Sequence, residues 1–130
     1  MLADDKFQIL HKALLENGYI AERTTWEILK YVLGGSQSYD NYESVIWIKE
    51  SPNNTCCKRS VLNFLQLLDI PWDNITSKRL NYCFIYKSPS NKYRKFESND
   101  LHDYKSKKGR IATSEFNGEL KDIIKSALDN

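Results

Sequence analysis

The residues in this chain whose types could do chemistry are cations interleaved with aromatic rings. They run from Lys78 to Arg110: Lys78, Arg79, Tyr82, Tyr86, Lys87, Lys92, Tyr93, Arg94, Lys95, Phe96, Tyr104, Lys105, Lys107, Lys108 and Arg110. The charge is uneven along the sequence. Seven Lys/Arg face ten Asp/Glu over 1–77, ten face three over 78–110, and two face four over 111–130, within an overall charge of +2. Lysine and arginine neutralise phosphates and release counterions, and aromatic rings stack on unpaired bases. The candidate binding set is Lys78, Arg79, Lys87, Lys92, Tyr93, Arg94, Lys95, Lys105, Lys107, Lys108 and Arg110. The partner expected is nucleic acid, or an acidic protein surface that the same cations would suit. A competing account makes the lysines guardians of a sheet edge against strand pairing, with Tyr82, Phe84 and Tyr86 as core.

Catalytic chemistry has little to work with. His11 lies beside the apolar face of the first helix and reads as a half-buried structural residue. His102 sits between Asp100 and Asp103, which could orient and charge it, and Cys83 could in principle join it as a thiol–imidazole pair. No spacing brings the two together, so no catalytic residue is assigned. Cys56-Cys57 lacks the paired spacing of a structural zinc site, and Gly34-Gly35 has neither the lysine nor the spacing of a phosphate loop. No metal and no cofactor is expected. Metal-dependent nuclease chemistry would need clustered carboxylates near a lysine; Glu43, Lys49 and Glu50 bracket the first strand, but their spacing matches no such motif, and charged strand ends are common. Of the tryptophans, Trp47 reads as core, and Trp26 and Trp72 as rings at the core's rim or partly exposed.

The elements that must position these residues follow from periodicity. Phe7, Leu10 and Leu14 lie on one helical face over 4–17, which Asn17-Gly18 closes. Thr24, three residues before Glu27, fits a capping box for a second helix with Ile28, Leu29, Val32 and Leu33 inward and Gly34-Gly35 at its end. Tyr42–Lys49 is β-branched and aromatic and reads as a strand, closed by the turn Ser51-Pro52-Asn53-Asn54. A third helix spans Thr55 to Asp69 with Val61, Phe64, Leu65 and Leu68 inward, stopped by Pro71. Residues 79–87, RLNYCFIYK, alternate Leu80, Tyr82, Phe84 and Tyr86 on one face; with the turn Ser88-Pro89-Ser90-Asn91 and the extended KYRKF they read as a hairpin. Residues 97–110 read as loop, with a short strand around Arg110–Thr113. The last helix covers Ser114–Leu128 through Leu120, Ile123, Ile124 and Ala127.

Residues 64–80, FLQLLDIPWDNITSKRL, resemble a helix-turn-helix, with a tight turn at Asp69-Ile70-Pro71 and a second helix from Trp72. The basic hairpin would then stand where a winged helix carries its wing. Asp69 replaces the usual turn glycine, Lys78 falls at an apolar position, and Leu65 replaces a small residue at the helix crossing. The plain alternative is a loop between helix and strand.

A chain of 130 residues, 41% hydrophobic and 28% charged, is expected to form one compact domain over 1–130. The order helix-helix-strand-helix-hairpin-loop-helix implies an α+β fold, with helices packed around a small, mainly antiparallel sheet. The acidic start MLADDKFQIL does not resemble a secretory leader, and no run approaches a membrane span. Three cysteines, two of them adjacent, do not suggest a disulfide framework or a disulfide-linked partner, so a cytoplasmic setting with no membrane contact is expected. The sequons Asn53-Asn54-Thr55 and Asn74-Ile75-Thr76 then read as chance. The leading expectation is a non-catalytic module binding nucleic acid through the hairpin and loop. The alternatives are a protein–protein inhibitor or immunity-type protein, and a small nuclease using His102, Glu43 or Glu50.

Overall fold

The computed structural model describes residues 3–33, 43–49, 58–68, 77–87, 92–97 and 117–128. Within them the order is α1 (Asp4–Glu16), α2 (Trp26–Leu33), β1 (Val45–Trp47), α3 (Lys58–Leu67), α4 (Ser77–Cys83), β2 (Phe84–Lys87), β3 (Tyr93–Lys95) and α5 (Asn117–Leu128). The fold is α+β, with helices around a three-stranded sheet.

α1 turns Phe7, Leu10 and Leu14 into the core, at the expected spacing. It stops in a Schellman arrangement: Gly18 adopts a left-handed φ of 76°. The Gly18 N–H donates to Leu15 O at 3.1 Å and the Tyr19 N–H to Leu14 O at 2.9 Å. Only glycine reaches that φ without strain, so the turn follows directly from the Asn17-Gly18 pair. Tyr19 then enters the core beneath the helix end.

The cap of α2 is one residue later than the capping-box spacing suggests. Thr25 accepts the Ile28 N–H on its Oγ1 at 3.3 Å. Thr24 is buried and its Oγ1 accepts the Ile46 N–H at 3.0 Å. The upstream hydroxyl is drawn off to satisfy a strand amide, which leaves its neighbour to cap the helix.

β1 pairs with β2 in parallel, Val45 opposite Phe84 and Trp47 opposite Tyr86, and β2 pairs with β3 antiparallel. The sheet is therefore mixed rather than mainly antiparallel. α3 and α4 lie between β1 and β2 in sequence, and a crossover of that length is what parallel strands require. On its other side β1 takes backbone bonds from residues 19–21: Ala21 N–H to Ile46 O at 3.0 Å and Ile48 N–H to Tyr19 O at 2.8 Å. That edge is covered, whereas among the described residues no strand lies outside β3.

The expected strand over 79–87 is corrected in its first half. Residues 77–83 are helical and the strand begins at Phe84. Leu80 sits three and four residues before Cys83 and Phe84, a helical spacing, and the Leu80–Phe84 interval of four fits alternation as well. Tyr82, assigned to the core by alternation, is 44% exposed. The turn at Asp69-Ile70-Pro71 and Trp72, which carry the helix-turn-helix likeness, lie outside the described residues.

α3 is buried more fully than its stripe predicts. Ser60, Val61, Leu62, Asn63, Phe64 and Leu65 are all buried, so the helix is enclosed rather than laid on a surface. Trp47 from β1 meets Phe64 at 5.2 Å and Tyr19 at 5.5 Å between ring centroids. α5 packs along α1 and against α3 through Leu120, Ile123, Ile124 and Ala127. No described helix is long and apolar enough to cross a membrane.

Candidate nucleic-acid interface

The site grows out of β3, beyond which no strand lies among the described residues. β2 is held from both sides, by β1 and by β3, and every residue of β3 is exposed. Tyr86 faces Arg94, Lys87 faces Tyr93 and Ile85 faces Lys95. Side chains alternate along a strand, so Arg94 leaves from the side of the sheet that carries buried Tyr86. Tyr93 and Lys95 leave from the other, beside half-buried Lys87 and Ile85.

Two contacts fix where this edge ends. Phe96 turns back into the core, and its ring meets Tyr86 edge-on at 5.2 Å. The Asn81 carboxamide donates to Phe96 O at 2.9 Å, which ties the exit of β3 to α4. On the other side of the sheet, the Ser44 hydroxyl donates to Tyr82 O at 2.9 Å at the end of α4. The hairpin is thus anchored at its base, and Lys92–Lys95 project from a fixed frame.

Of the sequence-predicted set, Lys92, Tyr93, Arg94 and Lys95 are brought together as one continuous exposed stretch. Lys87 joins them through its pairing with Tyr93. Lys78 and Arg79 stand on α4, which corrects the expectation that Arg79 opens the first strand of the hairpin. Lys105, Lys107, Lys108 and Arg110 lie outside the described residues, as do His102, Glu50, Cys56, Cys57 and Trp72. The ion pairs among the described residues are Lys12–Glu16, Lys30–Asp4 and Lys49–Glu119, so none engages Lys92, Arg94 or Lys95. Glu97 is exposed just beyond Phe96, so the stretch 92–97 carries three cations and one carboxylate.

Of the residues weighed for catalysis, His11, Cys83 and Glu43 are among those described. His11 is half-buried and donates from Nε2 to Thr24 O at 2.6 Å, which fixes that tautomer. Cys83 is buried and Glu43 exposed. Among the described residues no group of three or more His, Cys, Asp or Glu could hold a metal ion.

One polar cluster escaped sequence reasoning. The Lys49 ammonium reaches Asn17 O at 3.2 Å and the Glu119 carboxylate at 3.5 Å, and lies 4.8 Å from the centre of the Tyr19 ring. Burial first, then the neighbouring Glu119 carboxylate, push the Tyr19 hydroxyl far above the ordinary tyrosine range. A group held protonated this firmly is a poor acid or base at neutral pH, so the cluster works as a clasp joining the α1 end, the β1 end and the first turn of α5. Its members come from three distant segments, and no local spacing could have announced them.

Compared with family models, curated proteins and solved structures, the chain matches none.

Proposed function

We propose that this protein is a non-catalytic binding module that engages nucleic acid through the basic outer strand of its sheet. The observation that carries the reading is the run Lys92-Tyr93-Arg94-Lys95, four exposed residues in sequence on an edge anchored by Asn81 and Phe96. Three cations in a four-residue exposed stretch, two of them on β3, concentrate charge where a phosphate backbone can follow it. Strand geometry spreads those cations to both sides of the edge, so successive phosphates could be met without rearranging the backbone. The sequence density of Lys105, Lys107, Lys108 and Arg110 adds to the charge available.

The test is a titration of labelled single-stranded and duplex oligonucleotides at roughly 50 and 200 mM salt. Neutralising three phosphates predicts a loss in affinity of about 20-fold for a single strand and about 40-fold for a duplex over that interval. Replacing Lys92, Arg94 and Lys95 together by glutamine should remove most of the salt dependence. Binding that ignores salt, or survives the triple substitution unchanged, overturns the reading. Retention of one protein partner after nuclease treatment would instead favour an acidic protein surface docking on the same edge.

A further inference from the structure

We infer that the ligand of this edge is a single strand, one of whose bases stacks on Tyr93. The inference rests on the nucleic-acid reading above and narrows it to a substrate class. Tyr93 is 59% exposed, the most exposed of the large hydrophobic residues among those described. Its position explains why it is more than a strand-forming residue left in solvent. Across the ladder it faces Lys87, and Lys95 follows two residues along on the same side of the sheet. Directly opposed side chains in an antiparallel pair start about 5 Å apart, and strand neighbours on one face about 7 Å apart. The ring is therefore flanked by cations in two directions.

This arrangement suits a polyanion that also offers a flat, unpaired ring. A base in a single strand can lie on the tyrosine face while the phosphates on either side of it meet Lys87 and Lys95. Arg94, on the opposite side of the edge, is placed to hold the backbone as it passes around β3. Bases in a duplex are already stacked on their neighbours, so a duplex would use the cations and leave the ring idle. A second copy of this chain fits poorly here: pairing β3 with itself would set Lys92, Arg94 and Lys95 against the same cations.

The experiment measures binding of a labelled oligothymidylate and of a duplex of equal length to the whole chain and to Tyr93→Ala, Tyr93→Phe and Tyr31→Ala. Tyr93→Ala is expected to weaken oligothymidylate binding by about 5- to 150-fold, the range for loss of one stacked base. Duplex binding should change less than twofold, and Tyr93→Phe should retain single-strand affinity because the ring face remains. Tyr31, exposed on α2, controls for the loss of a surface tyrosine elsewhere and should be silent. Equal affinity of wild type and Tyr93→Ala for oligothymidylate, or a preference for duplex, overturns this inference. If the Lys92, Arg94 and Lys95 triple substitution still abolishes binding in that case, the broader reading stands. Absence of salt-sensitive binding to both probes removes the two together.

Discussion

The indole N–H of Trp47 donates to the Ser60 hydroxyl at 2.7 Å, a hydrogen bond between a strand and a helix that is buried at both ends. Tryptophan brings a large apolar surface into the core together with one polar atom that must be matched there. Serine on α3 provides the match and links β1 to that helix. Ser60→Ala should therefore destabilise the fold by about 1–3 kcal/mol, because the indole donor loses this acceptor inside the core. Urea unfolding followed by tryptophan fluorescence measures it; no change in midpoint would show that Ser60 only fills space.

Thr24 makes a comparable link between a loop and the sheet, accepting the Ile46 amide on its hydroxyl. Thr24→Val keeps the shape and removes the acceptor. A loss of about 1–3 kcal/mol is expected. Thr24→Ser should recover much of it, since the oxygen remains. Thr25→Ala acts by a different route, exposing the start of α2, and should lose only about 1 kcal/mol.

Alkaline pH should find the Tyr19 clasp. The unfolded chain loses the tyrosine proton near pH 10, whereas the folded chain keeps it because burial and Glu119 disfavour the phenolate. Stability from this group is thus complete below about pH 10 and declines above it by about 1.4 kcal/mol per pH unit. Tyr19→Phe should flatten that decline relative to wild type in melts taken at rising pH. Parallel declines in the two proteins would place the alkaline sensitivity elsewhere.

The exposed edge also makes a prediction about solubility. Lys92, Arg94 and Lys95 replaced by threonine would leave a neutral, β-favouring strand outermost among the described strands. Concentration-dependent association by light scattering or sedimentation is expected for that variant and not for wild type. Lysine replacements that keep charge, such as Arg94→Lys, should remain unassociated.

Asn81→Ala should loosen the hairpin without unfolding the protein. It deletes the donor that reaches Phe96 O, a bond worth about 1 kcal/mol, and Phe96 keeps its ring contact with Tyr86. Faster amide exchange confined to residues around 92–97, with a nearly unchanged melting temperature, is the expected result.

Much of the helical framework was readable from spacing. Phe7, Leu10 and Leu14 on α1, and Leu120, Ile123, Ile124 and Ala127 on α5, are buried as their period requires. Asn17-Gly18 ended α1 as their backbone freedom allows. Residues 79–83 fit a strand because Leu80 and Phe84, four apart, satisfy the alternating and the helical period alike. The burial of Cys83 and the exposure of Tyr82 separate the two. The binding set was legible as a density of charge along the chain, but density does not say which cations share a face.

The sequence alone determined where helices face inward, where α1 must stop, and which part of the chain is rich in positive charge. These depend on neighbours within about four residues, through periodicity, backbone sterics and composition. Tertiary structure alone decided that β1 runs parallel to β2, that Lys49, Tyr19 and Glu119 meet, and that Tyr93 faces solvent beside Lys87. Those outcomes depend on pairings between segments tens of residues apart, whose energies no local pattern encodes.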